Sequence, residues 1–322
     1  MTAVYITIDT EYSFGLAQAQ GIDSRAENFA RSIACRTPSG EVGIFDQMDI
    51  MDAHGCKGVF FVDPLPALLW GVDAISDIVE PIVARDHEVQ LHLHTEWLEL
   101  AGDDNPLGGK TGRNMADFSE GEQAKLIALG KTLLVEAGAP EPIAFRAGNY
   151  GADDATLRAL AQNDIRYDSS HVPGIEDSEC EISLDSEVQH VIEHEGVLEV
   201  PVGTVPNFGG LRHAQITALS EWELAAAVEF ATANSVPMLN VVSHSFELMS
   251  RDRTRANALV RRRFTKFCET IDDTAGARSA TFTSRPPMLE DETGCAAMPH
   301  NPLRSVARMA EQAISNALYG SN

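Results

Sequence analysis

The chain has 322 residues, 44% of them hydrophobic, and carries 48 acidic against 24 basic side chains, for a net charge of −24. That length buries a large core and permits one large α/β barrel or two medium domains. A nucleic-acid duplex or an anionic membrane needs clustered Lys and Arg, and a surface this acidic repels both. The one basic cluster, residues 251–263, has Leu259 and Val260 interleaved and reads as a solvated helix face, with a phosphate site as the alternative. The five cysteines (Cys35, Cys56, Cys180, Cys268 and Cys295) are odd in number and form no CxxC pair. That argues against a disulfide framework or a cysteine zinc site. The sequence enters a strand at Val4 without the basic and long apolar regions of a leader, and no stretch of about 18 apolar residues occurs. The expectation is a cytoplasmic protein without a membrane span.

Short apolar runs alternate with amphipathic segments along the chain. Strands are predicted at 4–8, 57–62, 88–94, 143–146, 165–169, 198–202, 238–243 and 279–283. Helices are predicted at 41–54, 73–85, 154–163 and 255–274. Two further helices are announced by the capping boxes Ser119–Glu122 and Ser220–Glu223. Residues 15–38 read as a long loop over a barrel mouth, and 286–300, with three prolines, as a linker. A short amphipathic helix at 302–318, with Val306, Met309 and Ile314, closes the chain and docks by default on its own barrel. The alternation predicts a parallel β/α barrel or a doubly wound sheet, with residues 1–285 as the barrel and 286–322 as an appended segment.

Four of these strands deliver reactive side chains to their C-terminal ends, where barrel enzymes place their sites. In Glu88–His94, alternation sends Val89, Leu91 and Leu93 to one face, and Gln90, His92 and His94 to the other. With Glu96 just beyond, this is either a metal-ligand set or a pair of hydrogen-bonded barrel histidines. Asp9 and Glu11 project together from the first strand, and they either sit on a solvated strand-to-loop turn or, if buried, need a metal or an Arg beside them. Arg146 ends a strand and either pairs with Asp9, holding it ionised, or makes an ordinary salt bridge at the barrel rim. The glycines of Arg146-Ala-Gly-Asn-Tyr-Gly151 allow close backbone approach or positive φ. His244 ends the strand at 238–243, as a general acid or as a structural imidazole.

In this order the motifs resemble those of the polysaccharide deacetylases, the NodB-like carbohydrate esterases of family 4. Thr7-Ile8-Asp9 is similar to the start of the family's first motif, and Asp86-His-Glu-Val-Gln-Leu-His92 to its second. Residues 145–151 are similar to the Arg-x-Pro-Tyr-Gly motif, Tyr167-Asp168-Ser169-Ser170 to the Asp-Ser strand end, and Leu239–His244 to the strand ending in His. Lys57–Val62 and Leu198–Pro201 resemble two further family strands. The resemblance covers roughly residues 3–285 and implies a distorted (β/α) barrel of about seven parallel strands.

It also implies a chemistry. Asp9 is the base, held anionic by Arg146, and His244 is the acid. One divalent metal, Zn²⁺, is bound by Glu11, His92 and either Glu96, favoured by spacing, or His94. The metal and a backbone N–H near Asn149 or Tyr150 stabilise the oxyanion, and Asp168 joins the substrate contacts. The implied substrate is an N-acetylated sugar or glycan, and the chain's acidity suggests a neutral one. The sequence departs from the family pattern at Thr10, where a metal-binding Asp is usual, at Glu96 in place of the second His, and in the missing Pro of the Arg motif. Those departures leave a metal-free, allantoinase-like C–N hydrolase and an inactive glycan-binding barrel as alternatives.

Overall fold

The structure is a computed structural model that describes residues 1–175, 178–289 and 297–320. Cys295 and residues 290–296 of the predicted linker lie outside the described residues.

Strand β1 (Thr2–Thr10) is the hub of the sheet. On one side, β2 (Val59–Val62), β3 (Glu88–Leu93), β4 (Ala144–Ala147), β5 (Tyr167–Asp168) and β6 (Val197–Glu199) follow it in order, all parallel. On the other side β7 (Met238–His244) pairs with Ala3–Asp9. The edge of β1 that β7 leaves is divided between β8 (Ala277–Ala280), at Thr2–Tyr5, and β2, at Thr7–Thr10. The sheet curls into a distorted barrel. Its seam, between β6 and β7, is filled by the chain that follows β6. There Gly203 N donates to Asn240 O at 2.9 Å, and Gln215 bridges to Val242. A Cβ at Gly203 would collide with the Asn240 carbonyl, so this approach requires glycine.

Alternation along the strands sorts the side chains as predicted. Val4, Ile6, Ile8, Val89, Leu91 and Leu93 join the outer core beneath the helices. Tyr5, Phe61, Ala144, Tyr167 and Phe282 fill the inside of the barrel, so its lower part is packed rather than open. The outer layer is α1 (Ile44–Ala53), α2 (Asp73–Ala84), α3 (Glu120–Glu136), α4 (Asp154–Gln162), α5 (Glu221–Ala233) and α6 (Ala258–Asp273). Both predicted capping boxes form, with Ser119 N and Ser220 N donating to Glu122 and Glu223 at 2.8 and 2.9 Å.

Two expectations need correction. Residues 15–38 are not a plain loop. Ser13 caps a helix at Phe14–Gln20, and short helical turns continue to Ile33. Phe14 and Phe29 anchor these turns in an aromatic cluster with Tyr12, Trp70 and Trp97. The turns are too short for any helical period to register in the sequence. Second, Arg251, Arg253 and Arg255 precede α6, which starts only after its N-cap Asn257. The C-terminal helix α7 (Pro302–Tyr319) docks on its own barrel, by its polar side. Arg308 pairs with Glu223 at 3.2 Å and Asn257 donates to Ser315 at 3.3 Å, while Val306, Met309 and Ile314 are exposed. Among the described residues, no helix is long and apolar enough to cross a membrane.

Candidate active site

Register brings the predicted residues together. Asp9 on β1 is level with His244 on β7, and His92 on β3 is level with Arg146 on β4. Arg146 is wholly buried, its guanidinium over the Phe61 ring at 4.4 Å. Its Nη1 donates to Asp9 Oδ1 at 2.6 Å, Nη2 to Thr7 Oγ1 and Ser169 Oγ at 3.1 Å, and Nε to the Ser169 carbonyl at 3.1 Å. Burial alone would raise the Asp9 pKa, but Arg146, with His92 and His244, holds it below the usual carboxylate value. Asp9 is therefore a fixed anion whose second oxygen, Oδ2, lies 3.9 Å from His244 Nε2.

On one flank, Glu11, His92 and His94 each place a ligand atom within 4.8 Å of the others. His92 Nδ1 donates to the Arg146 carbonyl at 2.7 Å, which leaves the Nε2 lone pair toward Glu11 Oε2, 3.4 Å away. His94 Nε2 also abuts Glu11 Oε2, while its Nδ1 donates to Glu96 Oε2 at 3.1 Å. Glu96, favoured as a ligand by spacing, thus stands behind His94 and outside the three-atom group. Gly148 is what lets this ring sit here. A Cβ there would lie 2.8 Å from the His94 ring and 2.7 Å from the Leu93 carbonyl.

On the other flank, His244 Nδ1 donates to Glu247 Oε1 at 3.0 Å, and Glu247 also accepts from Gln215, Thr217 and Ser243. Burial lowers the His244 pKa, but Glu247, then Asp9 and Glu11, more than offset this and lift it to about 9. His244 is an imidazolium at neutral pH.

Asn149 and Tyr150 both adopt left-handed backbone, with φ of 56° and 58°. The two glycines of this motif serve approach instead, Gly148 to His94 and Gly151 to Asn114. Asn149 donates to Asn114 at 3.3 Å, and the Tyr150 hydroxyl lies 3.3 Å from His213 Nε2. Asp168, expected at the substrate, is fully buried. It accepts from Ser170 N and Oγ, sits level with the buried Glu199, and lines neither cavity at the site.

Sequence reasoning missed Glu247 and Asp63. Asp63 follows the end of β2 and is buried near His94 and His92, where burial lifts its pKa to about 7. The rule that located Asp9, an acid at a strand's C-terminal end, points equally to Asp63, and His-x-x-Glu spacing was the signal for Glu247. A cavity of about 290 Å³ opens over His244 and Glu247, and one of about 150 Å³ over Glu11 and His94. A larger one, about 560 Å³, lies at the barrel seam by Pro201 and Asn240, away from these groups.

No protein-family model matches the sequence, and no curated protein does. Solved structures do match. A Mycobacterium smegmatis protein assigned as a polysaccharide deacetylase has a TM-score of 0.55 at 17% identity, over 86% of this chain and 87% of its own. A 4-alpha-glucanotransferase from Thermococcus litoralis has a TM-score of 0.53 at 12% identity, over 88% of this chain and 39% of its own. A family 4 carbohydrate esterase from Streptomyces lividans, in complex with acetate, has a TM-score of 0.45 at 11% identity, over 90% of this chain and 98% of its own. The chain has the NodB-like distorted (β/α) barrel fold of the polysaccharide deacetylases.

Proposed function

We propose that this protein is a metal-dependent hydrolase of the polysaccharide deacetylase family that removes an acyl group, N-acetyl in the first instance, from a carbohydrate amine. The observation that carries the reading is the buried Asp9–Arg146 pair set between His244 and the cluster Glu11, His92 and His94.

That cluster fits a divalent cation. Glu11 Oε2 and Asp63 Oδ2 are buried without a hydrogen-bond partner, and Glu11 Oε2 adjoins two imidazole nitrogens out of hydrogen-bond alignment. Two imidazoles and a carboxylate are a donor set of catalytic zinc sites, and a carboxylate behind one imidazole is their usual support. Glu11, His92 and His94 would hold Zn²⁺, with Glu96 orienting His94. When bound, such an ion lowers the pKa of a water and polarises an acyl carbonyl.

The chain's own groups do the rest. Asp9 accepts the proton of the attacking water. Arg146 keeps Asp9 ionised and fixes its Oδ1, so Oδ2 is the accepting atom. His244 gives its proton to the leaving amine nitrogen. The N–H groups of the left-handed turn at Asn149 and Tyr150 take the oxyanion.

The test is acetate release from N-acetylglucosamine and its short oligomers by protein supplied with zinc. Acetate formation is expected, with activity falling as pH rises through about 9, where His244 loses its proton. Glu247→Gln removes the nearest charge that raises His244, so the alkaline limb moves to lower pH, toward the ordinary imidazole value of about 6.5. Zinc-loaded protein that releases no acetate from any N-acetylated sugar contradicts the reading, and an alkaline limb unmoved in Glu247→Gln contradicts the role of His244.

A further inference from the structure

The arginines that precede α6 lie beside the site. After His244 the chain loops back over the strand ends, and Arg253 is held there with φ 54°, its N–H donating to the Ser250 carbonyl at 2.8 Å. Its guanidinium carbon lies 4.3 Å from the centroid of the Phe246 ring. Phe246 in turn lies 5.4 Å from the His244 imidazole, tilted by 33°. One aromatic ring thus separates a fixed guanidinium from the group that serves the leaving amine. Arg253 lines both cavities of the site, the one at His244 and Glu247 and the one at Glu11 and His94.

Arg253 has no carboxylate partner among the described residues. Among the described residues its side chain hydrogen-bonds only Ser32 Oγ, at 3.3 Å. Arg251, at the rim of the first cavity, likewise makes no ion pair among the described residues. In a chain with 48 acidic and 24 basic residues, carboxylates are abundant, and Arg85, Arg158, Arg261 and Arg308 each have one, while Arg212 and Arg255 donate to main-chain carbonyls instead. A partly buried cation without a counterion is costly, and a non-glycine residue held in left-handed backbone adds strain. A guanidinium over an aromatic face makes no ion pair with it, and its planar fork of donors matches carboxylate and phosphate oxygens.

We propose that Arg253, with Arg251 at the rim, binds an anionic group of the substrate, a carboxylate or a phosphate, beside the scissile amide. The substrate is then an acidic N-acyl sugar, not the neutral one that the chain's net charge suggests. The surface still disfavours a polyanion, and two arginines lining one cavity suit a single anionic group. The position of the scissile bond rests on the hydrolase reading above, whereas the anion pocket does not.

The experiment is ligand-detected NMR on the zinc-supplied full chain with three probes that differ in one group. They are N-acetylglucosamine, N-acetylmuramic acid, which adds a carboxylate, and N-acetylglucosamine 6-phosphate. The acetate methyl signal in the same tube reads hydrolysis separately. The wild type is expected to bind an anionic probe about ten-fold or more tightly than the neutral one, the value of a charge-assisted hydrogen-bond pair. Arg253→Gln should abolish that preference and Arg253→Lys should keep part of it. Whichever anionic probe is preferred identifies the group. If Arg253→Gln does not fold, Arg251→Gln at the exposed rim carries the comparison, with a reduced preference expected and an unchanged one counting against the pocket. Equal affinity for all three probes, binding of none, or a preference that survives Arg253→Gln overturns the inference. An anion preference without acetate release upholds the pocket and counts against the hydrolase reading alone.

Discussion

Asp9→Asn is expected to lower turnover of an N-acetylated substrate by about 10²–10⁴-fold, the range for losing a general base, with little change in KM. Asn has the shape of Asp and can still accept from Arg146 Nη1, which now meets Asp9 Oδ1 at 2.6 Å. What it cannot do is take a proton at the position of Oδ2, the oxygen that faces His244. Because Arg146 is wholly buried, the variant also leaves a guanidinium without its counterion, so some stability is lost. Activity is therefore compared at a temperature where circular dichroism reports both proteins folded. A folded Asp9→Asn protein that keeps more than a tenth of wild-type turnover contradicts the role given to Asp9.

Arg146→Met carries the largest expected loss of stability. Removing one partner of a buried ion pair leaves the other charge uncompensated, typically at a cost of about 3–5 kcal/mol. Here the abandoned partner is Asp9, and Ser169 and Thr7 lose their donors as well. The double variant Asp9→Asn with Arg146→Met removes both charges and should recover part of the loss, since contacting residues are not additive. Chemical denaturation of the four proteins reads the cycle. A single-variant loss below about 1 kcal/mol, the value of an exposed pair, would mean that Asp9 and Arg146 do not form the buried pair seen here.

Much of this was legible in the residues. Alternation in Glu88–His94 put Leu91 and Leu93 under the helices and His92 and His94 inside, and both outcomes hold. Asp9 and Arg146 were readable as partners because each ends a strand. Two kinds of information were not in the pattern. One is the direction of a side chain just past a strand end. Spacing favoured Glu96 as a candidate metal ligand, but the short 3₁₀ turn at Thr95–Glu99 brings it behind His94. The other is docking chosen by polar contacts. Residues 302–318 are amphipathic, yet Arg308, Ser305 and Ser315 are the buried side chains of α7. The cluster of arginines before α6 likewise reads as a helix face until the N-cap at Asn257 and the left-handed backbone of Arg253 are seen.

The central claim is that Glu11, His92 and His94 bind a catalytic divalent ion, and metal stoichiometry tests it most directly. Elemental analysis of protein purified without chelator or metal-affinity resin, then given zinc and desalted, should find about one ion per chain, as in single-ion catalytic sites. His92→Ala and His94→Ala should lose the ion. Glu96→Gln should retain it with affinity weakened by about 10–100-fold, as for a supporting carboxylate. No metal in the wild-type protein after zinc is supplied, or a metal that survives His94→Ala but not Glu96→Gln, would contradict the account.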